Sequence, residues 1–235
     1  MARKLLEFLL SLALLFSGGY SDVTFHFDNQ CTYTIWRGSS PDMGDLDPEH
    51  PAGTYEIFYM DDKWSGSIWA RTKCTSNATD YYSCETGNCG SGVIECKGPQ
   101  PAYPVTLLNF NVNNPVVSYQ VSEVHGQNIR VRLEPKGGTL VDGSGPCPVV
   151  DCARDFGDVC PPELVAANKN GVYVGCYSSC DKLKNCCNEA GCQPDYYTKR
   201  FKELCSNAHI YPADNNPPLY QCKGADSYDI TFCPV

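Results

Sequence analysis

A chain of 235 residues with a formal charge of −9 repels nucleic acid and anionic membrane surfaces rather than attracting them. Its 16 cysteines would be a redox liability in a reducing compartment, whereas in an oxidising one they become crosslinks that restrict the unfolded chain. Zinc ligation is disfavoured as well, because no C-x-x-C pair occurs and Cys186 and Cys187 are adjacent.

The first segment reads as a signal peptide over residues 1–21. Arg3 and Lys4 give a positive start, residues 5–16 are apolar apart from Glu7 and Ser11, and Gly19 and Ser21 stand at the minus-three and minus-one positions of a cut before Asp22. The run is too short and too weakly flanked for a membrane anchor, and no later stretch is apolar enough to span a bilayer. Export to the extracellular space (the apoplast) or to a vacuole follows from this reading. Removing Arg3, Lys4 and Glu7 with the leader moves the formal charge from −9 to −10. Such a chain still binds neutral carbohydrate if local hydrogen bonds and stacking allow, and 15 tyrosines and 3 tryptophans supply stacking surfaces.

Along the mature chain, 22–235, hydrophobic residues alternate with a period of two in short runs. Val23, Phe25 and Phe27 begin the series, and Ile129, Val131 and Leu133 continue it. Tyr228, Ile230 and Phe232 close it. Further strands are expected over 32–36, 55–60, 68–71, 105–110 and 116–121, with turn formers between them such as Gly137-Gly138 and Asn216-Pro217-Pro218. Many short strands with turn-rich joints indicate a mainly β, antiparallel sandwich. The sandwich core is expected over about 22–73, 106–152 and 205–235.

Two segments break the pattern. Residues 74–105 carry four cysteines, several glycines and little alternation, and read as a small disulfide lobe. Within it Asn77-Ala78-Thr79 is a glycosylation sequon. Residues 153–204 read as a large cysteine-rich lobe holding a short helix over 195–204, with Asp195 as N-cap and Tyr197, Phe201 and Leu204 at helical spacing. Strand signals return only after Cys205. No internal repeat and no low-complexity linker divides the chain. No Gly-x-Ser-x-Gly, phosphate loop or histidine-rich metal motif occurs, so no cofactor and no metal are expected.

Several motifs together resemble the thaumatin-like proteins, the plant pathogenesis-related group that includes osmotin and thaumatin. They are Cys31-Thr32-Tyr33-Thr34-Ile35-Trp36, Ile68-Trp69-Ala70-Arg71-Thr72-Lys73-Cys74, Cys84-Glu85-Thr86-Gly87-Asn88-Cys89 with Cys96, and Tyr228-Asp229-Ile230-Thr231-Phe232-Cys233-Pro234. One departure is Asn88, where the family signature has Asp. The resemblance implies a flattened sandwich with disulfide-rich lobes and eight bridges: Cys31–Cys233, Cys74–Cys84, Cys89–Cys96, Cys147–Cys222, Cys152–Cys205, Cys160–Cys176, Cys180–Cys186 and Cys187–Cys192.

It also implies a cleft that is acidic in antifungal relatives, lined by an Arg, a Glu and three Asp. Paired carboxylates there suit glycosidic hydrolysis. In this chain the five positions fall on Ser67, Asn109, Gln120, His125 and Asn215, with Asp214 adjacent to the last. Most replacements cannot exchange protons near neutral pH. His125 is read as a lone histidine without a carboxylate partner, and Glu123 as sharing its strand face, opposite to that of Gln120. The resemblance therefore implies a secreted plant defence protein that acts by binding microbial glycan or protein rather than by catalysis. The alternatives are a weak endo-β-1,3-glucanase with antifungal activity and an inhibitor of a microbial hydrolase. Cell-wall β-glucan or a microbial protein is the implied partner, and a monomer is expected.

Overall fold

A computed structural model describes residues 23–44, 47–79, 81–184, 186–188 and 191–235. The expected signal peptide over 1–21 lies outside them. The alternating runs are strands with one face in the core. In β1 (Val23–Asn29) Phe25 and Phe27 are fully buried, while Thr24 and His26, which alternate with them, are half-exposed. In β7 (Leu107–Asn113) and β8 (Val116–Ser122), Leu108, Phe110, Val117, Tyr119 and Val121 point inward.

Eleven strands form one sheet that folds over on itself. One layer holds β8, β7, β5 (Ser65–Ser76), β2 (Ile35–Ser40) and β3 (Glu49–His50), with β6 (Tyr82–Thr86) paired to β5. The other holds β4 (Tyr55–Met60), β1, β9 (Val131–Leu140) and β10 (Val150–Cys152). The long last strand β15 (Tyr220–Phe232) joins them: residues 220–223 pair with β8, residues 222–232 with β9, and residues 228–232 with β1. Phe25, Phe110 and Tyr228 meet edge-on and stacked where the layers close, with Phe25 and Phe110 centroids 4.9 Å apart. The β1–β15 ladder is parallel, an exception to the expected antiparallel pairing. It brings both ends of the domain together, where Cys31 bridges Cys233. Closing a loop of 202 residues, that bridge contributes about 5 kcal/mol on chain-entropy scaling.

Six further bridges join Cys74–Cys84, Cys89–Cys96, Cys147–Cys222, Cys152–Cys205, Cys160–Cys176 and Cys180–Cys186, and all seven coincide with the family pairing. Cys187 and Cys192 face each other in a short ladder, β13 (Cys187–Asn188) with β14 (Gly191–Cys192). The expected bridge between their side chains lies outside the described residues.

Three expectations need correction. Gly137-Gly138 is no turn: both glycines sit inside β9, opposite a bulge at Ala225–Ser227. Both have positive φ, and a Cβ on Gly138 would come within 2.8 Å of the Ala225 nitrogen, so the close approach of the two strands requires glycine. Residues 74–105 contain a strand, β6, whose hairpin with β5 is crosslinked by Cys74–Cys84. The large lobe contains a ladder of its own, β11 (Val165–Ala167) with β12 (Tyr173–Cys176), so strands do not wait until after Cys205.

That lobe also holds α1 (Ser179–Lys182) and α2 (Tyr196–Leu204). Asp195 caps α2 by accepting from the Thr198 N–H at 2.7 Å. Phe201 of α2 stacks on Phe156 at 4.4 Å, tying the helix to the core. At the junction with the sandwich, a Cβ on Gly126 would lie 2.2 Å from the Cys176 carbonyl oxygen, so the two backbones touch there.

Candidate functional site

Strand register decides which polar side chains share a face. Ser67 on β5 lies directly opposite Asn109 on β7, and Asn109 directly opposite Gln120 on β8. Directly paired residues project to the same side of a sheet, so the three form one row across three strands. All are half-buried, and the Ser67 hydroxyl donates to Asn109 Oδ1 at 2.6 Å. The row carries hydroxyl and amide groups and no charge.

His125 lies beyond the end of β8, in the turn that meets the large lobe. It is not a lone histidine. Its Nδ1 is 2.7 Å from Asp181 Oδ2 of α1, and its ring stacks on Tyr103 at 3.9 Å with planes 5° apart. Burial, and after it the Asp181 charge, pushes the Tyr103 phenol up. Tyr103 comes from the small lobe and Asp181 from the large one, so this cluster joins three parts of the molecule. Neither residue was legible as a partner of His125; Ser178, which caps α1 through the Cys180 N–H, was the one local signal near Asp181.

The remaining carboxylates near these segments are committed elsewhere. β8 ends at Ser122, and Glu123 turns inward instead of continuing the strand face shared with His125. Thr106 Oγ1 lies 3.1 Å from its Oε2 and 2.8 Å from the Ile129 carbonyl. The two acceptors share the one proton of the Thr106 hydroxyl. Burial holds Glu123 well above the usual carboxylate range, outweighing hydrogen bonds from Thr106 and Gln127. Asp214 is buried too, accepting from Lys202 Nζ at 2.8 Å, the Ile210 N–H at 2.9 Å and the Asn216 N–H at 3.2 Å. It organises its loop. Asn215, beside it, is exposed.

Thus Ser67, Asn109 and Gln120 are brought together, while His125 lies in the turn after β8 and Asn215 in the loop before β15. Among the described residues, no three His, Cys, Asp or Glu side chains are grouped to hold a metal ion, and no helix is long and apolar enough to cross a membrane. Asn77, in the sequon, is exposed, and its Oδ1 accepts from the Thr79 hydroxyl at 2.8 Å.

A curled, mainly β sheet with disulfide-rich lobes and an uncharged polar row across three of its strands defines a disulfide-rigidified sandwich protein. The chain belongs to the thaumatin family, whose model matches residues 29–234. It is 36% identical over 239 residues to thaumatin-like protein 2 of Prunus persica, covering 96% of each chain. It is 33% identical over 242 residues to a Prunus avium protein named glucan endo-1,3-beta-glucosidase, again covering 96% of each. Among solved structures, the thaumatin-like xylanase inhibitor shares the fold, with a TM-score of 0.50 and 18% identity over 89% of this chain and 99% of its own.

Proposed function

We propose that this protein is an exported plant defence protein that binds glycan or protein of microbial origin without hydrolysing it. The observation that carries the reading is the uncharged row Ser67–Asn109–Gln120, built by strand register, in which Asn109 and Gln120 stand where the family resemblance implies acids and Ser67 where it implies an arginine. Amides and hydroxyls hydrogen-bond sugar hydroxyls but do not exchange protons at neutral pH. Export through the secretory pathway is supported by the cysteine density, and a glycan on Asn77 by its exposure.

Hydrolysis of β-1,3-glucan is the second reading. It is favoured by the name of the Prunus avium relative and by Asp181, a carboxylate at the junction that the family motif did not supply. Inverting and retaining mechanisms both require two carboxylates flanking the bond. Asp181 is bound to His125, and Glu123 and Asp214 are buried and engaged. The test is a pull-down on insoluble β-1,3-glucan run beside a reducing-sugar assay. Retention without release of sugar supports binding; release of sugar at enzymatic rates supports the second reading.

A further inference from the structure

We propose that a second groove, on the opposite end of β5 from Ser67, binds a neutral linear oligosaccharide. Three recesses of about 470, 430 and 520 Å³ adjoin there, each within the size range of ligand sites. The first and second share Arg130 and Asp155 as a common wall; the second and third share Lys73 and Val174. They form one run along the boundary between the sandwich and the large lobe. Its length suits an extended chain with several sugar units rather than a compact metabolite.

The groove's chemistry points the same way. Tyr33 and Tyr173 line the central recess, and Tyr33 is 42% exposed, so aromatic faces are available for stacking on pyranose rings. Charged side chains balance along the whole run: the cations Lys73, Arg130, Arg154 and Lys169 are set against the anions Glu85, Asp155, Asp158 and Glu203. A groove without excess charge favours a neutral ligand. The Arg130 guanidinium has no ion-pair partner within 4.0 Å among the described residues, which leaves its donors for hydroxyl oxygens.

The groove is also held rigid before any ligand arrives. Asn128 in its floor donates to the Ala70 carbonyl and to Thr86, and accepts from the Thr106 N–H. Gln127 ties the far wall by donating to the Arg154 carbonyl and accepting from the Phe156 N–H. Cys31–Cys233 and Cys160–Cys176 fasten the two sides. Preorganisation lowers the ordering cost of binding. Lys73 adds a second sign: it is a non-glycine residue at φ 51° within β5, a left-handed conformation that persists only where its surroundings enforce it. That conformation sets Lys73 at the ridge between two recesses.

This site is independent of the row at Ser67, Asn109 and Gln120, and stands if that row proves inert. Laminarihexaose, xylohexaose, cellohexaose and hexagalacturonate would each be titrated by calorimetry into the oxidised protein. Two forms would be used, both with the row disabled: Asn109→Ala/Gln120→Ala, and the same protein with Tyr33→Ala/Arg130→Gln added. Hydrogen exchange would be measured at saturation on peptides covering 30–33 and 169–174. The expected result is saturable binding of a neutral hexasaccharide. It should weaken at least tenfold when the Tyr33/Arg130 change is added, and should slow exchange in both peptides. The proposal is overturned by no binding at millimolar sugar, by binding of hexagalacturonate alone, or by neutral binding that survives the Tyr33/Arg130 change. It is equally overturned by unchanged exchange in the two peptides.

Discussion

His125 Nδ1 and Asp181 Oδ2 lie 2.7 Å apart, one in the turn after β8 and the other on a four-residue helix of the cysteine-rich lobe. The pair fastens the lobe to the sandwich at the edge of the candidate site, and Tyr103 covers the imidazole from the small lobe. Both partners are about one-quarter exposed, which limits the energy of the contact.

Asp181→Asn should therefore cost only about 0.5–1 kcal/mol in denaturant unfolding. His125→Ala should cost more, because it also removes the stack on Tyr103. Equal losses for the two variants would show that the stack contributes nothing.

Glu123 gives the protein a pH dependence with a definite sign. Its folded-state pKa is raised by burial, so the native state holds a proton that the unfolded chain has released. The stability from this proton is complete below about pH 4.3, the ordinary glutamate value, and is lost as pH rises through the folded value. Glu123→Gln keeps the shape and can donate to Thr106, so unfolding free energy should fall less steeply with rising pH in the variant. His50 and His209 act on the other side. Burial lowers both, so the stability their neutral forms supply is lost as pH falls below about 6.5. Below about pH 4.3 the two stability curves should therefore run parallel, and they should diverge as pH rises from there. Parallel stability curves for the two proteins at all pH values would contradict the upward shift of Glu123.

The large lobe depends on its crosslinks more than the sandwich does. Its described ladders have two to four residues per strand and its longest helix nine, too little regular structure to hold alone. Mild reduction followed by limited proteolysis and mass spectrometry should give first cuts within 153–204. First cuts in β9 or β15 would overturn the idea.

Legibility in the sequence followed the physics of each element. The strand at 23–27 and the helix capped by Asp195 announced themselves because period-two burial and an N-cap are local signals. β6 did not: Tyr82-Ser83-Cys84-Glu85-Thr86 has little alternation, and its place is fixed by β5 and the Cys74–Cys84 bridge. Gly137-Gly138 misled because a bulge with positive φ and a turn use the same residues. At the site, the row of Ser67, Asn109 and Gln120 was reachable through family resemblance, and register then put its members side by side. Asp181 was not reachable, since it meets His125 across 56 residues through a lobe whose course is set by disulfides.

The most direct test of binding without catalysis is the release of reducing ends from β-1,3-glucan by the purified, oxidised protein. The account expects retention on the polysaccharide and no release above a boiled control. The triple change Asn109→Glu, Gln120→Asp and His125→Asp should make the row acidic while preserving the fold, at a cost of about 1–2 kcal/mol, chiefly from losing the Asp181 contact. Robust release by the unmodified protein, abolished by Asp181→Asn, would contradict the account and establish hydrolysis instead.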